Sequence, residues 1–252
     1  MQALILSAGK GTRLRPITNY LPKPMLPLHG RPLMEWVMLP LIACGIKDFV
    51  VAVSYLGEQI KNYFSRGERW GVRINYCSGP HPAGKAGEIW RAQDLLRCRD
   101  RAEPFLVVPG DTLCHLHYLE LLDFHRQHRG PVSVAFSTRY PLEVGTAEID
   151  RRHRVVRFHE KANLNLPVST GAYVLDSRIF PYIHSFAPEE KEVDLPADVF
   201  PKLLAAAEPI YGYVQDYAWW DVGRISDYES LLGLTPEEAA KILTWGAKDG
   251  HL

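Results

Sequence analysis

Ala3-Leu4-Ile5-Leu6-Ser7-Ala8-Gly9-Lys10-Gly11-Thr12-Arg13-Leu14-Arg15-Pro16, with Leu21-Pro22-Lys23-Pro24-Met25 close behind, is the stretch on which the fold turns. An apolar run that stops at two glycines reads as a buried strand feeding a tight loop without side chains. With no Cβ in the way, backbone N–H groups in such a loop can approach a phosphate chain closely. Lys10, Arg13, Arg15 and Lys23 add positive charge, and prolines 16, 22 and 24 stiffen the stretch. Two common phosphate motifs do not fit. The dinucleotide fingerprint needs a third glycine where Leu14 stands, and the P-loop needs Ser or Thr after Gly-Lys, where Gly11 stands.

Composition narrows the class. The 252 residues carry 29 basic and 29 acidic side chains, so no net field argues for nucleic acid or an anionic membrane surface. No run approaches the roughly 18 apolar residues of a membrane span, and no signal peptide is expected. Cys44, Cys77, Cys98 and Cys114 lie far apart without a Cys-x-x-Cys pair, which predicts neither a zinc site nor a disulfide framework. A cytoplasmic location follows as the default expectation.

Strand-like and helix-like segments alternate. Strands are predicted at Ala3–Leu6, Phe49–Val53, Arg73–Tyr76, Phe105–Val108, Val132–Ser137, Ala147–Asp150, Val155–His159, Gly171–Leu175 and Ile210–Val214. Helices are predicted at Leu33–Cys44, Gly57–Phe64, Gly87–Arg97, Leu116–His128, Ala197–Ala207 and Ile225–Leu232, with a surface helix at Pro236–Leu243 and no appended repeat domain. The alternation implies βαβ units and a mostly parallel sheet, with ligand at the carboxyl ends of the strands. The strand-rich stretch 131–175 reads as an insertion covering the sheet's open edge.

Four further clusters stand out. Val107-Val108-Pro109-Gly110-Asp111 ends an apolar strand in a carboxylate, either an oxygen ligand for a hard cation or a cap before a helix begun by Thr112–His115. Tyr217-Ala218-Trp219-Trp220-Asp221-Val222-Gly223 supplies a second such Asp, and Mg²⁺ takes one or two carboxylates plus substrate phosphates. Arg157-Phe158-His159-Glu160-Lys161 delivers an acid beside a base at a strand end, where alternation of faces no longer separates them. Pro82-Ala83-Gly84-Lys85-Ala86-Gly87 is a small-residue turn opening a helix, suited to a base or ribose or simply a tight turn. His115 and His117 lack a third metal partner, and Trp36, Trp90 and Trp245 read as packing residues.

In order and spacing, over approximately residues 2–232, these segments resemble the sugar-1-phosphate nucleotidylyltransferases: Gly9-x-Gly11-Thr12-Arg13-Leu14, Pro22-Lys23-Pro24, Gly110-Asp111, Glu160-Lys161, Gly171-Ala172-Tyr173 and Trp219-Trp220-Asp221-Val222-Gly223. The resemblance implies an α/β fold, a three-layer sandwich around a mixed, mostly parallel sheet of the Rossmann-like nucleotide-diphospho-sugar transferase type. It implies a single domain, with a nucleotide-binding half at about 1–130, a sugar-phosphate half at about 131–232 and a C-terminal helix and tail over 233–252. The implied reaction joins a nucleoside triphosphate and a sugar 1-phosphate, giving an NDP-sugar and pyrophosphate. Arg13 and Lys23 would grip phosphates at the reacting centre, and Asp111 and Asp221 would hold Mg²⁺. Leu6, Ala8, Gly9, Gly11, Thr12, Arg13, Gly84 and Asp111 would line the nucleotide. Gly145, Glu160, Lys161 and Gly171 would meet the sugar phosphate. A homo-oligomer is compatible with this reading, which needs neither nucleic acid nor membrane.

The chain departs from the family pattern in places. Where the family often reads the base with Gln or Glu, five residues before Gly84, this chain has Gly79. Lys85 replaces a frequent Thr, and Ser169-Thr170 replaces a frequent Asn. Ala8 resembles members using UTP more than those using GTP, so UTP or dTTP is the favoured nucleotide, with GTP the alternative. A non-catalytic nucleotide-sugar-binding subunit of the same fold is the alternative. A glycosyltransferase would want an Asp-x-Asp motif, which is absent.

Overall fold

A computed structural model describes residues 1–97, 103–140, 144–160, 166–188, 191–235 and 237–238. The opening apolar run is β1 (Gln2–Ser7), in which Ala3, Leu4 and Ile5 are fully buried. Alternation sends Ala3 and Ile5 to one face and Leu4 to the other, so both faces of the strand must be covered. Burying a Leu or Ile side chain is worth about 1.5–3 kcal/mol, which explains a strand without a polar face.

A short hairpin, β2 (Pro27–Leu28) and β3 (Arg31–Pro32), leads into α1 (Leu33–Ala43). Then come β4 (Asp48–Val53), α2 (Gly57–Phe64), β5 (Arg73–Ser78), α3 (Gly84–Ala92), β6 (Phe105–Pro109), β7 (Thr112–Cys114) and α4 (Tyr118–His128). The second half runs through β8 (Val132–Ser137), β9 (Thr146–Ile149), β10 (Val155–His159), β11 (Val168–Leu175), α5 (Phe180–His184), α6 (Phe200–Ala205), β12 (Ile210–Gln215), β13 (Trp219–Asp221) and α7 (Ile225–Leu232). Seven strands form one sheet in the order β12-β8-β11-β6-β1-β4-β5. Only β11 runs antiparallel to its neighbours. One core lies under α1, α2, α4 and α7, and the other under α3, α5 and α6, giving three layers.

Several boundaries differ from expectation for identifiable reasons. The stretch 131–175 is not an edge-covering insertion. Its β8 and β11 are strands of the main sheet, because their alternate residues are buried on both faces. Only the β9–β10 hairpin stands outside it, with most of its residues exposed. Residues Thr112–Cys114 form a strand instead of leading into a helix, since β13 is there to pair with them. Helix α3 starts at Gly84, a turn earlier than Gly87, because the Val193 carbonyl accepts from the Ala86 and Gly87 amides (2.9 and 3.3 Å). The predicted Ala197–Ala207 helix is a π turn at Leu195–Val199 followed by α6. Cys98, Trp245 and most of the predicted Pro236–Leu243 helix lie outside the described residues.

Candidate active site

The carboxyl ends of β1 and β6 open a cavity of about 250 Å³, lined among others by Gly9, Gly11, Thr12, Arg13, Lys23 and Asp111. Its floor is set by close strand packing. The Gly110 amide donates to the Leu6 carbonyl at 2.9 Å, and a Cβ on Gly110 would collide with the Ser7 hydroxyl. A side chain at 110 would have to displace the Ser7 hydroxyl where β6 turns off, and Asp111 emerges beside the loop after β1.

That loop is shaped by two different glycines. Gly11 sits at φ +60°, with a Cβ there meeting Thr18 Cγ2 at 3.0 Å and Lys23 Cβ at 3.3 Å. The Thr18 hydroxyl donates to the Gly11 carbonyl at 2.8 Å and pins the turn. Gly9 differs: a Cβ there would meet nothing within 4 Å. Protein packing does not require glycine at 9, and the open backbone is room for a ligand.

The charges converge on one nitrogen. Lys23 Nζ lies 2.7 Å from Asp111 Oδ2 and 3.0 Å from Asp221 Oδ1, and its side chain is 9% exposed. Arg13 Nη2 is 4.0 Å from Asp221 Oδ2, and the Arg13 guanidinium passes over Gly223, where a Cβ would meet Nη1 at 3.1 Å. What carries Asp221 to Asp111 is the β7–β13 ladder. It pairs Asp221 with Thr112, so two aspartates 110 positions apart become neighbours.

Arg13, Lys23, Asp111 and Asp221 are thus brought together, and Leu6, Gly9, Gly11 and Thr12 line the same cavity. Ala8 is buried beside them. Ser7, Leu14, Pro24 and Gly223 also line it and were not named as site residues, although all four sit inside stretches that the sequence singles out. Gly84 is away from this cavity. Its φ of +76° and its approach to the Val193 backbone give it a packing role at the start of α3. Gly171, at φ +79°, forms a bulge in β11, against Pro109 at the end of β6. Gly145 lies under the Phe158 ring on the hairpin, and Glu160 is exposed at the end of β10. Lys161 lies outside the described residues.

Two hard carboxylate donors already share the Lys23 ammonium, and Asp111 lines the cavity, a set that fits a divalent ion of the magnesium type. Among the described residues no group of three or more His, Cys, Asp or Glu could hold a metal, so His115 and His117 form no such centre. His115 packs edge-on against Trp220. Nor is any helix of the described residues long and apolar enough to cross a membrane.

Known proteins resemble this chain along most of its length. Residues 2–236 match the model of the nucleotidyl transferase family. The chain is 32% identical over 260 residues to a UTP–glucose-1-phosphate uridylyltransferase of Synechocystis sp., covering 96% of this chain and 65% of that one. It is 34% identical over 251 residues to a mannose-1-phosphate guanylyltransferase of Mycobacterium tuberculosis, covering 96% and 67%. It therefore spans about two thirds of the length of these relatives. The fold is shared with HddC from Yersinia pseudotuberculosis, solved with GMP-PN, at a TM-score of 0.70, 22% identity and coverage of 92% and 97%.

Proposed function

The chain belongs to the nucleotidyl transferase family, and from that membership we propose that it joins a nucleoside triphosphate to a sugar 1-phosphate, releasing pyrophosphate. The names of its relatives, a uridylyltransferase and a guanylyltransferase acting on hexose 1-phosphates, support the substrate classes. The observation that carries the reading is the Lys23 ammonium held between Asp111 and Asp221 on the wall of a glycine-floored cavity.

In this reading an oxygen of the sugar phosphate attacks the α-phosphorus in line. A new P–O bond forms, the α–β bridging P–O bond breaks, and its electron pair leaves on pyrophosphate. A phosphate oxyanion is already nucleophilic, so no Ser–His pair is required. The obstacles are repulsion between two anions and charge building on the leaving group. Amides of the Gly9–Gly11 loop and the Arg13 guanidinium hold the triphosphate, and Lys23 offers its charge to the phosphates at the reacting centre. Asp111 and Asp221 would hold Mg²⁺, which would supply positive charge to neutralise phosphate oxygens. By the resemblance, Glu160, Lys161, Gly145 and Gly171 would bind the sugar phosphate and Gly84 the nucleotide.

The test is pyrophosphate release over a grid of nucleoside triphosphates and sugar 1-phosphates with Mg²⁺. Release that requires both substrates and falls by roughly a hundredfold or more in Asp111→Asn supports the assignment. Silence across the grid, with tight binding of a nucleotide sugar, favours the non-catalytic reading. Wild-type rates in Asp111→Asn at matched Mg²⁺ would remove Asp111 from the metal site.

A further inference from the structure

Among the described residues, the β9–β10 hairpin leaves one apolar face open to solvent. It stands outside the main sheet, and its two strands pack chiefly on each other. A two-stranded hairpin by itself is marginal in water and gains stability by burying a face.

Register sorts its side chains. Val155 pairs with Ile149 and Phe158 with Ala147, whereas Arg157 pairs with Glu148 and His159 with Thr146. Paired residues share a face, and alternate residues along a strand return to it. Ala147, Ile149, Val155 and Phe158 therefore form one face, and Glu148, Arg157 and His159 the other. Val156 is the extra residue at the bulge that keeps this register. The polar face is paired within itself, with Glu148 Oε1 lying 3.0 Å from His159 Nε2 and 3.8 Å from Arg157 Nη1. The apolar face is bare: Ile149 is 62% exposed, Val155 and Val156 60% each, and Phe158 68%.

The turn joining the strands is cationic. From Thr146 to His159 the chain sets Arg151, Arg152, Arg154 and Arg157 against only two carboxylates, Glu148 and Asp150. Asp150 is held by Arg154 at 2.8 Å, and Glu148 belongs to the polar face. Arg151 and Arg152 are exposed and form no ion pair among the described residues. With 29 basic and 29 acidic side chains in all, this local excess is balanced by acids elsewhere, so a net charge of zero conceals a polarised molecule.

A bare apolar face beside unpaired guanidiniums fits a surface that is anionic on top and apolar beneath. Size argues the same way. A stable protein interface takes about 20–30 residues a side, and Thr146–His159 offers 14. The cavities at the β1 loop, between α3 and α5, and beside Tyr213 take no lining residue from the hairpin, which argues against a small ligand held in a cleft. A lipid surface needs no cleft, because it moulds to a protruding element.

We propose that the β9–β10 hairpin docks on an anionic lipid surface, with Ile149, Val155, Val156 and Phe158 entering the boundary of the acyl chains and Arg151 and Arg152 meeting lipid phosphates. Salt screens the arginine part of this attraction and leaves the apolar part. The proposal is independent of the reaction assigned above.

Flotation of the whole chain with vesicles of phosphatidylcholine alone, or with about one third phosphatidylserine, is the test. Wild type is expected to bind the anionic vesicles at least about tenfold more tightly, with the ratio shrinking as salt rises. Arg151→Gln combined with Arg152→Gln should remove most of that preference. Val155→Ser combined with Val156→Ser should weaken binding to anionic vesicles by roughly fivefold or more. All four positions are exposed, so an unchanged Tm in scanning calorimetry identifies a folded variant. Equal binding to both vesicles, binding to neither, or wild-type binding in either double variant overturns the proposal. A single-stranded oligonucleotide bound in place of vesicles, and released by the arginine changes, would assign the patch to nucleic acid. A dimer seen in place of vesicle binding, and dissolved by the valine changes, would assign it to a second copy of the chain. Either result also overturns the proposal.

Discussion

Replacing Lys23 by Met, which keeps the length of the side chain and removes its charge, separates the two aspartates from their internal counterion. The contacts at 2.7 and 3.0 Å on one nitrogen keep Asp111 Oδ2 and Asp221 Oδ1 within about 5.7 Å, where two unit charges at an effective dielectric of about 20 repel by about 3 kcal/mol. Asp221 is 43% exposed, so water screens part of this, leaving roughly 1–2 kcal/mol of destabilisation. For a chain of this size that corresponds to a fall in Tm of about 2–8 °C. The loss should appear in EDTA and be largely reversed by millimolar Mg²⁺, since a divalent ion can take the place the ammonium leaves. Wild type should gain less from Mg²⁺, because Lys23 competes for the same oxygens. Differential scanning calorimetry of both proteins, with and without Mg²⁺, measures all four values. Equal Tm in EDTA, or equal Mg²⁺ shifts in the two proteins, would refute the argument.

Two other perturbations probe the frame around the site. Gly11→Ala forces a side chain into the left-handed region against Thr18 and Lys23, at a cost of about 1–2 kcal/mol. Urea titration should show that loss, and the KM for the triphosphate should rise because Lys23 is displaced; an unchanged KM would detach the loop from nucleotide binding. His125 is buried with Nδ1 2.9 Å from Ser133 Oγ, and burial holds its pKa below the ordinary 6.5. As pH falls through 6.5 the unfolded chain takes up a proton that the folded chain refuses, so stability is lost on the acid side of that value. The slope from this one group is at most about 1.4 kcal/mol per pH unit, and His125→Gln should remove it from urea titrations between about pH 7 and 5. Identical slopes in variant and wild type would assign the acid sensitivity elsewhere.

The local parts of this molecule were legible in the sequence. Strand β1 and the glycine loop announce themselves because their signals, an apolar run and glycines, lie within a few residues of each other. Asp111 and Asp221 could be singled out as carboxylates near strand ends, but their meeting depends on β7 and β13. Each of these has three residues, too few for any periodicity, and Thr112–Cys114 taken alone leans towards a helix start. The same limit hid the true start of α3, which is decided by the carbonyl of Val193, over a hundred residues downstream.

The place of β11 has a consequence for how the chain is made. It lies between β6 and β8, so the inner edge of β6 has no partner until the ribosome has added about 60 more residues, roughly 3–12 s at ordinary elongation rates. During that interval Phe105, Leu106, Val107 and Val108 present a bare apolar strand edge, a template for pairing with another nascent chain. Slowing synthesis between β6 and β11 should therefore lower the yield of soluble protein more than slowing it after β12, when the sheet is already closed on both sides of β6.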